Sequence, residues 1–305
     1  MKNLTKMKAL SKLRIVCSLT LSLIFGLIAG IFALLLLYSG ASGSALILQA
    51  LLFSLIFIFI QWYIGPGMIK LLTRMREIKE EEYPWLHSMV NELSREAGIP
   101  KPRLYLVQDL SPNAFAFGRT QGSAGIGVHL GLIRNLEKEE IRGVIAHEIA
   151  HIKHRDMIVM TIASALPIVL YFLVIALAPR REEERASLAI LIYFGAIVAR
   201  MIGQLVVLWL SRVREYFADS YSAYATKEPA SLASALVKIS QSAIALRPSR
   251  QASALRAFYI ADPFTKAGEL EPGMEQKFLE LFMTHPLVFK RIKNLKRIEE
   301  ELKSS

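Results

Sequence analysis

Apolar and polar positions are gathered into blocks along this chain. Residues 13–38, LRIVCSLTLSLIFGLIAGIFALLLLY, carry one charge, Arg14, close to the start. The run exceeds the roughly 20 apolar residues that an α-helix needs to cross a bilayer. A secretory leader would also begin with basic residues. This run is too long for a leader core, and no small-x-small cleavage site leads from it into soluble sequence. A second apolar run, 45–64, follows the uncharged link SGASGS, so the two predict a helical hairpin. Gly65-Pro66-Gly67 predicts a helix break at its exit.

Beyond residue 67 the pattern becomes that of a soluble domain. Residues 83–97 predict a helix that stops at Gly98, with Pro100 just beyond. Three segments of strand character follow: 103–108 (RLYLVQ), 114–119 (AFAFGR) and 124–130 (AGIGVHL). The turn-prone SPN and TQGS separate them, and a small three-stranded sheet is expected. From Glu137 the stretch EKEEIRGVIAHEIAHIKHRD predicts a helix, with acidic residues in its first turn as the macrodipole favours.

Two more apolar runs, 157–178 and 187–210, flank PRREEER. The fourth run holds Arg200 near its middle, which costs about 2.5–3.5 kcal/mol on insertion scales. It is therefore either a weaker span or a helix packed against protein and partly wet, and four spans are expected. Residues 211–305 read as mostly helical, punctuated by Pro248, Pro263, Pro272 and Pro286. The expected organisation is a membrane hairpin over 1–67, the first part of a soluble domain over 68–155, a second hairpin over 156–210, and the rest of that domain over 211–305. The fold class is α+β, mainly α.

Composition agrees with alternating blocks: 53% of the 305 residues are apolar, mean hydropathy is +0.37, and 21% are still charged. The net charge of +11 alone would also suit a nucleic-acid partner. Its placement points to a bilayer instead. Lys2, Lys6, Lys8, Lys12 and Arg14 lead into the first run, and Lys70, Arg74, Arg76 and Lys79 follow the second, while the link between them has no charge. By the positive-inside rule both ends of the hairpin face the cytoplasm, and no nucleic-acid partner is expected. Cys17, the only cysteine, excludes an intrachain disulfide and a cysteine-based zinc cluster.

The chemistry concentrates in His147-Glu148-Ile149-Ala150-His151. Residues four apart share a helix face, so two imidazoles can converge on one ion, and zinc accepts such nitrogens. Glu148, between them, is placed to take a proton from water and pass it to a leaving amine. The extended form H-E-x-x-H-x-x-G-x-x-H is excluded, because the chain has His154 where that pattern needs glycine and Met157 where it needs histidine. His154 lies about 10 Å along the helix from His147 and reads as a surface or membrane-interface residue. Glu182, Glu183 and Glu184 lie beyond the third run, about 30 Å away if that run spans. Glu215, where the chain returns from the fourth run, is the better ligand. Asp219, one turn on, can accept the free N–H of a ligating imidazole. The competing reading of Glu215 and Asp219 is a solvated helix face shared with Arg212 and Arg214.

HEIAH at 147–151, HRD at 154–156, SRVREYFAD at 211–219, PNAFAFG at 112–118 and THP at 284–286 together resemble the HtpX family, membrane zinc endopeptidases of the gluzincin type related to the CAAX prenyl proteases. The resemblance covers nearly the whole chain. It implies a zincin-like catalytic domain on the cytoplasmic side of four membrane helices, in a multi-pass protein of the cell membrane. It implies one Zn2+ per chain on His147, His151 and Glu215, with Glu148 as base and Asp219 behind a ligand histidine. It also implies that His285 approaches the site as a substrate contact and that Asn113 lines the substrate cleft. Taken alone, His285 reads equally as a capping or surface histidine, and SPN as a plain turn. Segment 114–119 can hold a peptide as an added strand.

The expected function is cleavage of misfolded or membrane proteins close to the bilayer, since about nine residues, some 13 Å of helix, separate His147 from the third run. A peptidase of lipid-anchored tails, a silent zinc-binding adaptor and a transporter are the alternatives. Oligomeric state leaves no signal in the pattern.

Overall fold

The computed structural model describes residues 44–167, 170–171, 174, 187–245 and 280–304. The first apolar run, most of the third beyond residue 167, Glu182 to Glu184, and Pro248, Pro263 and Pro272 lie outside them. The chain divides into two compact units, Met1–Tyr63 with Ile158–Val207, and Ile64–Met157 with Leu208–Ser305.

In the first unit the described residues are almost all helical. Helix α1 (Ser44–Thr73) contains the second apolar run. It does not break at Gly65-Pro66-Gly67: Pro66 lies inside it, and the helix continues to Thr73. Proline's fixed φ is compatible with a helix; the lost N–H bond and the crowding of the carbonyl four residues back are local costs that do not end α1. Thr73 Oγ1 then donates to Ile69 O at 2.8 Å, closing the last turn. Among the described residues one helix, Ala189–Thr226, is long and apolar enough to cross a membrane. Its first half exposes Ile190, Leu191, Tyr193 and Phe194, and Arg200 is exposed on it as well. Gly203 lets it approach Pro167 closely, since a Cβ there would lie 2.9 Å from Pro167 Cα.

The second unit is built around a four-stranded sheet, where three strands are expected from the sequence. Its order is β1 (Arg76–Glu77), β2 (Arg103–Val107), β4 (Gly125–His129), β3 (Ala114–Phe117). The additional strand is β1, two residues long and exposed on both, so it has no alternating pattern to read. It pairs antiparallel with β2, β2 runs parallel to β4, and β3 is antiparallel to β4 at the edge. Alternate residues face opposite sides of a strand. Leu104, Leu106, Ile126 and Val128 thus enter the main core, while Tyr105, Val107, Phe115 and Phe117 form a separate cluster with Ile69 and Met75.

Helix α2 (Pro84–Ala97) begins on a proline and ends where Gly98 takes φ 68, donating its N–H to Arg95 O, as the Gly98–Pro100 signal predicts. After the short α3 (Leu130–Asn135) comes α4 (Lys138–Lys153). Glu137 and Glu140 form its capping box, with Glu137 N donating to Glu140 Oε2 at 2.8 Å. Helix α4 packs against α2, β3 and α7 (Pro229–Ala245), and α7 packs in turn on α8 (Val288–Lys303). Almost every residue from Ile141 to Ile152 is consequently buried. Helix α5 (Asp156–Ala163) follows α4, and α6 (Ala189–Thr226) contributes its stretch from Leu208 onward to this unit.

Candidate metal centre

Helix α4 presents His147 and His151 one turn apart, with Nε2 atoms 3.1 Å from each other and rings nearly perpendicular at 87°. Helix α6 brings Glu215 to both: Oε2 lies 3.5 Å from His147 Nε2, and Oε1 lies 3.4 Å from His151 Nε2. One ligand atom from each residue falls within 4.8 Å of the others. Glu215 is 5% exposed and Asp219 is sealed completely, so this is no solvated helix face.

The opposite nitrogens of the two imidazoles are also occupied. His147 Nδ1 lies 3.0 Å from Asp219 Oδ1, within ion-pair distance though not aligned as a hydrogen bond. His151 Nδ1 lies 2.7 Å from Asp156 Oδ2. A carboxylate at Nδ1 favours the tautomer with its proton there, leaving the lone pair at Nε2. Two such lone pairs 3.1 Å apart, beside a buried carboxylate whose Oε2 accepts no hydrogen bond, repel one another unless a cation lies between them. The donor set, two imidazoles and one carboxylate, suits zinc.

Behind this group stands Arg291 from α8, fully buried. Its Nε donates to Asp219 Oδ2 at 2.8 Å and its Nη2 to Oδ1 at 2.6 Å, while Nη1 lies 3.2 Å from Glu215 Oε2. Burial works against the Arg291 charge, but Asp219 and Glu215 more than offset it and push its pKa up. Arg214 forms an ion pair with Asp156.

Glu148 points from α4 towards the edge strand, where Ala116 N–H donates to its Oε2 at 2.6 Å. Burial raises the pKa of the Glu148 carboxyl, and the neighbouring imidazoles and this N–H only partly counter it. His285 Nε2 lies 3.7 Å from Glu215 Oε1, and Thr284 Oγ1 lies 2.9 Å from His285 Nδ1. Arg212 holds the turn before it, donating through Nη1 to the carbonyls of Glu280 and Met283, each at 2.9 Å. Asn113 is buried one residue ahead of β3, and its carbonyl accepts from His129 N–H at 2.9 Å.

His154 takes no part in the group, in keeping with its spacing. It is not on the open surface, however, but partly buried at the end of α4, edge-on to Tyr221 at 6.0 Å. Two residues have no role assigned from sequence. Asp156 lies within HRD but five residues from His151, a spacing no regular helix brings together. Arg291 is 72 residues from Asp219, and nothing local marks it.

Residues 80–299 match the model of peptidase family M48. The chain is 42% identical over 241 residues to the protease HtpX homolog of Methanothermobacter thermautotrophicus, covering 78% of this chain and 91% of that one. It is 36% identical over 291 residues to the protease HtpX homolog of Pyrococcus furiosus, covering 93% and 95%. The crystal structure of S. mikatae Ste24p superposes with a TM-score of 0.57 at 18% identity, over 95% of this chain and 67% of the other, which is a likeness of fold. With the family model spanning most of its length and relatives of this identity covering 78–93% of it, the chain belongs to peptidase family M48 and is a membrane-bound zinc metalloprotease.

Proposed function

We propose that the protein is an endopeptidase in which His147, His151 and Glu215 hold one Zn2+ per chain and Glu148 is the general base and acid. The observation that carries this reading is the convergence of Glu215 on the two Nε2 atoms, with Glu148 held beside them at the edge strand. Zinc in such a site supplies Lewis acidity, polarising a carbonyl and making water a better proton donor. Glu148 takes the proton from the attacking water and delivers it to the departing amine. Burial, which raises its pKa, brings its proton affinity closer to that needed for both transfers. Asp219 fixes His147 through Nδ1. His285, which borders Glu215, is proposed to contact the substrate, and Asn113, one residue ahead of β3, is proposed to line the cleft.

The proposed substrates are misfolded or membrane proteins, presented as an extended segment beside β3. The proposed setting is four membrane helices in the cell membrane, with the site on the cytoplasmic face. Zinc content and cleavage of casein and a membrane substrate are to be measured on wild type and Glu148→Ala in detergent. Cleavage with one zinc in wild type, lost in the variant while the metal stays, is the expected result. Zinc in both with cleavage in neither would favour a silent adaptor, and activity confined to a prenylated peptide would favour a peptidase of lipid-anchored tails.

A further inference from the structure

His151 belongs to the last turn of α4, and Asp156 stands five residues further on. In an unbroken helix five residues rotate the chain by about 140°, which turns the two side chains apart. Here the helix is broken. Helix α4 ends at Lys153, His154 caps it, and Arg155 takes φ 57, a left-handed conformation that costs any residue with a Cβ. That single backbone reversal swings Asp156 back, so that its Oδ2 lies 2.7 Å from His151 Nδ1 as α5 begins. The other carboxylate oxygen pairs with Arg214, and both side chains are buried.

Arg214 precedes Glu215 on α6, and Asp219 follows one turn later. One short stretch of α6 therefore delivers the carboxylate that faces both imidazoles, the partner of His147, and the arginine that fixes the partner of His151. We infer that Asp156 is a positioning residue: set by the left-handed Arg155 and oriented by Arg214, it holds the Nδ1 proton of His151 and aims Nε2 at the metal. The inference rests on His151 being a metal ligand, as proposed above. Each histidine thus faces a carboxylate that is itself paired with an arginine: Asp219 with Arg291, and Asp156 with Arg214. A plain structural ion pair between α5 and α6 would matter for folding but not for metal affinity.

The test is the zinc dissociation constant of the full-length protein in detergent, by competition with a chromophoric chelator, alongside its thermal transition. Asp156→Asn keeps the shape of the side chain but removes its charge, and affinity should fall about 10- to 100-fold. Arg214→Gln should weaken affinity less, and the double variant no more than Asp156→Asn alone. At the exposed Arg155, Arg155→Gly should bind as wild type does, whereas Arg155→Val should lose affinity. Asp156→Asn binding within twofold of wild type, with its thermal transition intact, would overturn the inference. If that variant does not fold, wild-type affinity in both Arg214→Gln and Arg155→Val would do the same. A wild-type protein that binds no zinc, or zinc that survives His147→Ala with His151→Ala, would instead remove the metal reading and this inference with it.

Discussion

Arg291 grips Asp219 through two parallel hydrogen bonds, Nε to Oδ2 at 2.8 Å and Nη2 to Oδ1 at 2.6 Å, with neither side chain reaching solvent. The same guanidinium lies 3.2 Å from Glu215. It therefore offsets two buried carboxylates that would otherwise repel each other across the site. Removing one partner of a buried ion pair leaves the other uncompensated, at a cost of about 3–5 kcal/mol. Arg291→Ala should lose stability of that order in a denaturant titration, and zinc-loaded protein should recover part of it. Arg291→Lys is no rescue, because an ammonium cannot reproduce the planar fork. A lysine variant as stable and as active as wild type would refute this account.

Glu148 is held by one backbone donor, Ala116 N–H at 2.6 Å. A glutamine can accept the same hydrogen bond through its amide oxygen but cannot carry a proton between water and amine. Glu148→Gln should therefore keep wild-type zinc content and lower kcat by about 10²–10⁴-fold, the usual contribution of a general acid–base group. A loss confined to KM would assign Glu148 to binding instead.

The legible parts of the site are those encoded locally. His147, Glu148 and His151 announce themselves because four residues bring side chains to one helix face. The stop at Gly98 is legible because glycine tolerates φ 68 without strain. Glu215 follows from where the chain must return, a weaker signal that the burial of that face supports. Asp156, Arg291 and the Ala116 N–H stay hidden for a common reason. Each reaches the site through a backbone reversal or a tertiary contact, and no periodicity records either. Strand β1 is missed because two exposed residues have no pattern, and the continuation of α1 through Pro66 because propensity gives way when neighbouring turns hold the helix.

Gly118 closes the edge strand and offers a test of how far β3 matters. It takes φ 141, and a Cβ on it would lie 2.8 Å from Ala124 Cα, a backbone atom that cannot swing aside. Gly118→Ala should cost about 1–3 kcal/mol of stability from the forced conformation. Because β3 also carries the donor to Glu148, activity below the melting transition should fall as well. Loss of stability with full activity would separate the turn from the site.

Glu140 sets a pH dependence outside the metal site. Burial pushes its carboxyl pKa up, but Lys238 Nζ at 2.8 Å, Ser234 Oγ at 2.6 Å and Glu137 N–H at 2.8 Å outweigh that and bring it down on balance. A carboxyl whose pKa is lower in the folded chain binds fewer protons there than in the unfolded chain. Its stabilisation is complete above the unfolded value, about 4.3, and disappears as pH falls through the folded one. Lys238 is partly solvated, so the clasp between α4 and α7 should contribute about 1–2 kcal/mol. Glu140→Gln should therefore be less stable than wild type at pH 7 by that amount, and the gap should close as denaturation is repeated at progressively lower pH. A gap that widens on acidification would reverse the sign and show that Glu140 is stabilised in its protonated form.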